Sequence, residues 1–191
     1  MHIGLYFGSF NPIHNGHTAI ALYMLEHYDF EQIWIIVTPN SPFKSKEELI
    51  DENIRLQMVK LATEEYPDII ASDFEFDLPR PSYTYMTLRK LRMLYYEDKF
   101  SIIMGSDNVN DLEHWKKSTE IIRNHKIYIY PRKENISKLP TDNFIYTDAP
   151  IYDISSTEIR NKVKKRKDVS SLVHKKVLEI IIENELYQEY F

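Results

Sequence analysis

The chain has 191 residues, a formal net charge of −5, 43% hydrophobic residues, 28% charged residues and no cysteine. These values predict one globular domain over residues 1–191, and the negative charge argues against broad nucleic-acid binding. The absence of cysteine excludes disulfides and thiolate metal sites. No apolar run is long enough for a membrane span, so we expect a cytoplasmic location with no membrane partner.

The first half of the chain alternates between strand and helix patterns. Residues 2–7 form an apolar run that predicts a strand, and apolar spacing predicts a helix over 16–28. A continuous apolar run at 33–37 is typical of a strand buried on both faces. The elements predicted next are a helix over 52–65, a strand over 69–76, a helix over 84–96 and a strand over 100–104.

The same alternation continues to the C-terminus. The predicted elements are a helix over 118–123, strands over 126–130 and 144–146, and a small helical part over about 155–191 with helices from Ser156 and over 170–184. This order indicates an α/β fold with a mostly parallel sheet and helices on both faces. Ligands of such sheets bind beyond the carboxyl ends of the strands. We therefore expect the turns at 8–17 and 105–107 and the loop at 38–45 to converge on one crevice.

The turn after the first predicted strand carries the strongest functional signal. Three of the four glycines lie in the first sixteen residues, and two histidines, His14 and His17, stand three residues apart where a helix begins. Glycine lets the backbone approach a ligand closely, and a helix N-terminus favours negative charge. Imidazole rings add hydrogen-bond donors. The turn therefore predicts a site for a phosphate-bearing ligand.

A second motif, Ser155-Ser156-Thr157-Glu158-Ile159-Arg160, lies most of the chain away. It also predicts an anion-binding helix start, with Arg160 about one turn further along as a forked, permanently charged donor. Both motifs have interpretations that need no ligand. Asn11 or Asn15 can cap the first helix, and Ser155 with Glu158 forms a capping box. A capped helix start is also an anion-binding end, so the two interpretations are compatible.

Together these segments resemble the two signatures of the nucleotidyltransferase superfamily that carries the His-x-Gly-His motif. The segments at 81–88, 102–107 and 114–116 are similar to those of bacterial nicotinate mononucleotide adenylyltransferases, and the resemblance spans essentially the whole chain. It implies a Rossmann-like nucleotidyltransferase fold.

The activity that the resemblance implies is transfer of the adenylyl group of ATP to nicotinate mononucleotide. The products would be nicotinate adenine dinucleotide and pyrophosphate, in NAD biosynthesis, with Mg²⁺ bound to the phosphates and no metal ligand from the protein. A homo-oligomer is compatible with it. The alternatives are a sister adenylyltransferase that uses nicotinamide mononucleotide or phosphopantetheine, and a nucleotide-binding regulator without turnover.

The resemblance also implies roles for individual residues. The expected catalytic donors are His14, His17, Lys44 and Arg160. The expected ATP-binding residues are Gly8, Ser9, Phe10, His14, His17, Gly105, Ser155, Ser156, Thr157 and Arg160. For the mononucleotide, Thr84 is expected to hold the nicotinate carboxylate, Asp107 to contact the nucleotide and Trp115 to stack on the ring.

The chain departs from the family pattern at several positions. Asn11 stands where the family has aspartate, and Phe43 replaces the histidine before Lys44. The family's Arg-Pro appears as Tyr130-Pro131-Arg132, which leaves the contact of Arg132 with the nucleotide open. The loop over 38–50 is a candidate lid, and the basic run at 162–167 is interpreted as a solvated helix flank.

Overall fold

The computed structural model describes residues 1–40, 49–132 and 142–188. Lys44 and most of the predicted lid lie outside these ranges, so both stay predictions. Within them, the strands are β1 (His2–Gly8), β2 (Gln32–Val37), β3 (Ile69–Ser72), β4 (Lys99–Gly105), β5 (Ile127–Tyr130) and β6 (Phe144–Tyr146). They form a parallel sheet in the order β3-β2-β1-β4-β5-β6.

The helices are α1 (Asn15–His27), α2 (Glu52–Thr63), α3 (Thr84–Leu94), α4 (Ser118–Asn124), α5 (Ser156–Lys164) and α6 (Lys175–Glu183). Two short 3₁₀ helices, Ser106–Asn108 and Leu112–His114, follow β4 and were not predicted. None of the helices in the described ranges is long and apolar enough to cross a bilayer.

Alternate residues of each strand face opposite layers of helices, because successive side chains in a strand point to opposite faces. Leu5 of β1 belongs to a hydrophobic cluster that includes Leu88 of α3 and Ile121 of α4. Tyr6, the next residue, belongs to the cluster formed with α1, α2, α5 and α6. The predicted α/β architecture, with a parallel sheet and helices on both faces, is confirmed.

The strand predicted over 69–76 is shorter in the structure, because β3 ends at Ser72. The hydroxyl of Ser72 accepts a hydrogen bond from the Phe74 N–H at 3.2 Å, and the Phe76 N–H donates to the Asp73 carbonyl at 2.8 Å. A serine side chain that bonds the backbone two residues on competes with the strand ladder. The apolar alternation therefore continues past the point where the backbone turns.

The last helix also begins later than its apolar spacing predicted, at Lys175 instead of residue 170. Asp168 accepts hydrogen bonds from the backbone N–H and hydroxyl of Ser170, at 2.8 and 2.9 Å. His174 then caps the helix. These local side-chain bonds hold residues 168–174 out of the helix, although Val173 is buried in the core.

The order of the strands places β1 between β2 and β4 at the centre of the sheet. Because the chain leaves β1 toward β2 on one side and reaches β4 on the other, a crevice opens beyond the carboxyl ends of β1 and β4. Gly8 and Gly105 are the last residues of these two strands. The fold therefore brings both glycine turns to one place.

Gly4 lies in the middle of β1, where the core has no room for a side chain. A Cβ added there would lie 2.6 Å from Cδ1 of Ile33 and 2.7 Å from Cδ1 of Ile103. Because overpacking forces neighbouring side chains off their rotamers, we expect Gly4→Ala to lower the free energy of unfolding by about 1–3 kcal/mol. Urea titration measures this change. The matched control is Lys99→Ala at an exposed strand position, and an equal loss in both variants would contradict the prediction.

Candidate active site

A cavity of about 670 Å³ opens at the predicted crevice. Every predicted site residue inside the described ranges lines it, namely Gly8, Ser9, Phe10, His14, His17, Thr84, Gly105, Asp107, Trp115, Ser155, Ser156, Thr157 and Arg160. Lys44 lies outside those ranges. The two signature motifs and the segments predicted to bind the mononucleotide therefore share one cavity.

The turn between β1 and α1 is held by its carbonyl oxygens. The Thr38 N–H donates to the carbonyl of Gly8 at 2.8 Å. Three side chains donate to the next carbonyls: Arg55 to Ser9 at 2.6 Å, Arg160 to Asn11 at 2.9 Å and Ser156 to Pro12 at 2.8 Å. In a trans peptide the N–H points away from the carbonyl of the same unit. Fixing these carbonyls therefore fixes the directions of the amides that follow Gly8 and Ser9.

Gly8 makes room for a protein side chain as well as for a ligand. A Cβ on Gly8 would lie 2.8 Å from Cζ of Phe10. The Phe10 backbone is left-handed, with φ 46°, which is uncommon for a large residue and requires support from its surroundings. Its ring is buried in edge-to-face contact with Tyr6 and His17, at centroid distances of 5.7 and 5.0 Å. Glycine is thus needed here partly because the turn folds back on the strand.

The two histidines form a stacked pair at the start of α1. His14 is the N-cap residue, and its ring lies 3.6 Å from that of His17. The backbone N–H of His14 donates to Nδ1 of His17 at 3.2 Å. A neutral imidazole that accepts at Nδ1 carries its proton on Nε2. His17 therefore presents a donor at the ring edge opposite the helix backbone.

His14 is buried, with 3% of its surface exposed. Burial, and then the positive charge of Arg132, lower the pKa of His14 from the ordinary 6.5 to about 3. A buried imidazole beside a guanidinium is costly to protonate. His14 is therefore neutral near pH 7 in the protein without ligand.

The second motif begins α5 beside this turn. Ser155 is the N-cap, and its hydroxyl accepts from the Glu158 N–H at 3.1 Å, which is one of the two bonds of the predicted capping box. The side chain of Arg160 joins α5 to the turn. It donates to the Asn11 carbonyl of the turn at 2.9 Å and to Thr157 Oγ1 of its own helix at 3.3 Å. Half-buried Arg160 lines the cavity together with His14 and His17.

The other end of the cavity is built by α3 and the short helices after β4. Thr84 is the first residue of α3, where backbone N–H groups lack partners within the helix. Trp115 ends the second 3₁₀ helix and is half-buried, so its indole has one side against the protein and one toward the cavity. Lys116 lies over the Tyr83 ring at 4.6 Å. Asp107 is exposed at the turn after β4.

Several residues that line the cavity were not predicted as site residues, and two of them, Glu75 and Tyr6, are buried polar groups. Glu75 is 1% exposed and accepts from the Thr87 hydroxyl at 2.6 Å, and burial raises the pKa of its carboxyl. Tyr6 is buried beneath the turn, with its hydroxyl 2.9 Å from that of Tyr130. Tyr6 stands in an otherwise apolar run, and its polar hydroxyl was a sequence signal for a special role. Glu75 stands where acidic residues alternate with Phe74 and Phe76, so nothing in the sequence marked it as the buried one.

Arg132, whose role was left open, also lines the cavity. Its guanidinium donates to the Tyr130 hydroxyl at 3.2 Å, and its backbone N–H donates to Ser106 Oγ at 2.8 Å. The displaced Arg-Pro of the family pattern was the sequence signal for it. A positive group thus faces the histidine turn from the end of β5.

The C-terminal segment contacts the same turn. The Tyr187 hydroxyl donates to Oδ1 of Asn11 at 2.9 Å. Burial raises the pKa of the Tyr187 hydroxyl well above its usual range, so it stays protonated and acts as the donor. Asn11, which replaces the family's aspartate, therefore serves as a neutral acceptor next to Arg160.

Comparisons with known proteins show what this chain is similar to. The model of the cytidylyltransferase-like family matches residues 5–162. A Flavobacterium johnsoniae protein named as a probable nicotinate-nucleotide adenylyltransferase is 48% identical over 99% of this chain and 100% of its own length. A Bacteroides fragilis protein with the same name is 44% identical over 94% of this chain and 90% of its own.

Among solved structures, the nicotinic acid mononucleotide adenylyltransferase of Plasmodium falciparum, complexed with NaAD, superposes with a TM-score of 0.83. It is 22% identical, and the match covers 97% of each chain. This similarity supports the Rossmann-like nucleotidyltransferase fold. The family match covers most of the chain and the relatives match it along nearly its whole length, so the chain belongs to the cytidylyltransferase-like family and, within it, to the nicotinate-nucleotide adenylyltransferases.

Proposed function

We propose that this protein transfers the adenylyl group of ATP to nicotinate mononucleotide in NAD biosynthesis. The observation that carries the proposal is the single cavity that joins the histidine turn and the start of α5 to Thr84 and Trp115. One half of this cavity offers donors suited to phosphate, and the other offers an aromatic face and a helix N-terminus. The names of the relatives point to the same acceptor.

The reaction needs alignment and charge stabilisation more than proton transfer. An oxygen of the mononucleotide 5′-phosphate attacks the α-phosphorus of ATP and forms the new P–O bond. The bond between the α-phosphorus and the bridging oxygen breaks, and pyrophosphate leaves with that electron pair. A phosphate monoester is already anionic at neutral pH, so no base is required to generate the nucleophile. Binding both substrates in line supplies much of the rate enhancement.

The phosphate donors come from the turn and from α5. A neutral His14 adds no positive charge of its own, so the described residues that bring permanent charge to this end of the cavity are Arg160 and Arg132, and Lys44 is proposed as a further donor. His17 contributes a hydrogen bond from Nε2, and the Ser9 and Phe10 backbone adds amides. Donors fixed before the reaction stabilise the charge that grows on the leaving oxygens without reorganisation.

At the mononucleotide end, Trp115 is suited to stack on the pyridine ring, since an indole presents a flat π face. The N–H groups and hydroxyl at Thr84 suit a carboxylate, which accepts hydrogen bonds only. Asp107 lines the cavity, and we propose that its carboxylate contacts the mononucleotide by accepting from a ribose hydroxyl. Phosphopantetheine offers no ring for Trp115, which favours a pyridine nucleotide as acceptor.

Mg²⁺ is expected to arrive bound to ATP, and it would neutralise part of the charge of the phosphates. Within residues 1–40, 49–132 and 142–188, no three His, Asp or Glu side chains group together as metal ligands. The imidazole, guanidinium and amide donors of the cavity suit phosphate oxygens. We therefore treat the ion as part of the MgATP substrate.

The test of the function is pyrophosphate release from MgATP with nicotinate mononucleotide, nicotinamide mononucleotide or phosphopantetheine as acceptor. We expect turnover with the nicotinate compound to exceed that with the other two and to yield one dinucleotide per pyrophosphate. Faster turnover with another acceptor would assign the chain to a sister activity. Retention of ATP without pyrophosphate release would indicate a regulator.

Replacing His17 or Arg160 by alanine should remove one transition-state donor. We expect kcat to fall about 10²–10³-fold in each variant, equivalent to roughly 3–4 kcal/mol. The control is Arg92→Ala, an exposed arginine of α3 that does not line the cavity. Correct folding is checked by circular dichroism. Nearly full turnover in folded Arg160→Ala or His17→Ala would contradict the assigned roles.

Trp115→Ala tests the stacking role. Loss of an aromatic platform costs about 1–3 kcal/mol per stacked ring, so KM for nicotinate mononucleotide should rise roughly 5- to 150-fold. KM for ATP serves as an internal control and should change little. An equal rise in both KM values would show that Trp115 supports the cavity as a whole instead of the ring.

The low pKa of His14 predicts a pH dependence of stability. Between about pH 6.5 and pH 3 the unfolded chain binds a proton at this position that the folded chain does not. The free energy of unfolding therefore decreases as the pH is lowered through this range, by about 2–3 kcal/mol from pH 6.5 to pH 4.5. Urea titrations should show a smaller fall in His14→Gln. His27→Gln, an exposed histidine of the same helix, is the control, and identical slopes in all three proteins would refute the prediction.

A further inference from the structure

Arg55 of α2 is a charged residue buried in the core layer of the protein. Only 1% of its surface is exposed, and it lies on the buried side of its helix together with Leu56 and Val59. Within the described ranges, no carboxylate lies at ion-pair distance from its guanidinium. Burial lowers the pKa of Arg55, although an arginine remains charged at neutral pH. Such a charge is costly to bury, and an apolar side chain would fill the same space.

The guanidinium instead bonds backbone carbonyls from three segments. Nη1 donates to Ser9 at 2.6 Å and to Thr38 at 2.8 Å, Nη2 donates to Pro39 at 3.2 Å, and Nε donates to Ile50 at 3.0 Å. These carbonyls belong to the turn after β1, the loop after β2 and the residues before α2. A planar guanidinium has five N–H donors spread widely enough to reach all four carbonyls at once, whereas a lysine side chain carries its donors on one compact ammonium group.

The bond to Ser9 bears directly on the phosphate site. Because the N–H of a trans peptide points opposite to its carbonyl, the Phe10 N–H is directed away from Arg55. Phe10 lines the cavity with a left-handed backbone, a conformation that its surroundings must impose. No described residue accepts a hydrogen bond from this N–H. Arg55 therefore holds the peptide in the orientation that aims a backbone donor at the cavity.

We infer that Arg55 is a positioning residue for adenylyl transfer: its buried fork sets the Ser9–Phe10 peptide so that the Phe10 N–H meets the ATP phosphates, and ties this turn to the loop after β2. The inference rests on the proposed function and adds a residue to it that does not touch substrate. A displacement of about 1 Å at reacting groups can cost about 10²-fold in rate.

The test compares Arg55→Met and Arg55→Lys with Met58→Ala. Met58 is a fully buried residue of the same helix that does not line the cavity and makes no hydrogen bond from its side chain to the turn, and its truncation lowers stability. Assays are run well below the melting temperature of every variant. We expect both Arg55 variants to lose at least 10-fold in kcat and to bind ATP more weakly by calorimetry, with KM for nicotinate mononucleotide within 3-fold of wild type. Met58→Ala should melt lower but keep kcat and ATP affinity near wild type.

If Arg55→Met does not fold, Arg55→Lys provides the same comparison, because it retains a long cationic side chain. Wild-type kcat and ATP affinity in a folded Arg55 variant would overturn the inference, as would losses equal to those of Met58→Ala. Failure of the proposed function gives a different result, in which the wild-type protein forms no nicotinate adenine dinucleotide. Calorimetric ATP binding then still reports on Arg55.

Discussion

The site depends on how the backbone between β1 and α1 is held. Its carbonyl oxygens accept from Arg55 of α2 and from Ser156 and Arg160 of α5, while a backbone N–H after β2 holds Gly8. None of these donors is close to the turn in sequence. In the trans peptides after Gly8 and Ser9 the N–H points away from the carbonyl, so binding these carbonyls to the protein directs the Ser9 and Phe10 N–H groups toward the cavity. The Asn11 carbonyl precedes Pro12, which has no N–H, so its bond to Arg160 holds only the path of the backbone. The phosphate site is thus built by the fold and not by the motif alone.

The parallel sheet explains why such distant residues can meet. Strands in the order β3-β2-β1-β4-β5-β6 leave an opening beyond β1 and β4, and the loops after both strands reach it. The α5 helix packs in the same hydrophobic cluster as α1 and α2, which brings its N-terminus to the histidine turn. A hydroxyl and a guanidinium on α5 then bond the turn directly. The geometry of the site therefore depends on how α5 packs in the core.

The cavity combines a neutral histidine with permanently charged arginines. The buried His14 is neutral because protonation there would cost desolvation and place it against Arg132. Guanidinium groups retain their charge under the same conditions. Among the described residues near the histidine turn, Arg160 and Arg132 are therefore the permanently charged donors, and the neutral His14 offers hydrogen bonds only.

The sequence predicted the elements whose signals are local. Continuous apolar runs predicted β1, β2 and β4, and the residues of the two motifs predicted which turns line the candidate site. The end of β3 and the start of α6 were predicted wrongly, because side-chain bonds to the backbone at Ser72 and at Asp168 set these boundaries while the apolar pattern continued through them.

Arg55 and Arg132 were not assigned for a related reason. Their roles depend on contacts with residues 46 and 26 positions away, such as Ser9 and Ser106, which no periodicity encodes. A charged residue on an apolar helix face was the local sign of Arg55, and a displaced arginine was the sign of Arg132. Neither of these sequence signs identifies the residue that the arginine contacts.

A crystal structure of the protein with nicotinate adenine dinucleotide tests the account most directly. We expect the adenylyl phosphate within hydrogen-bond distance of the Phe10 N–H, His17 Nε2 and the start of α5, with the pyridine ring against Trp115. A dinucleotide bound in the reverse orientation, or phosphates that contact none of these donors, would contradict the account.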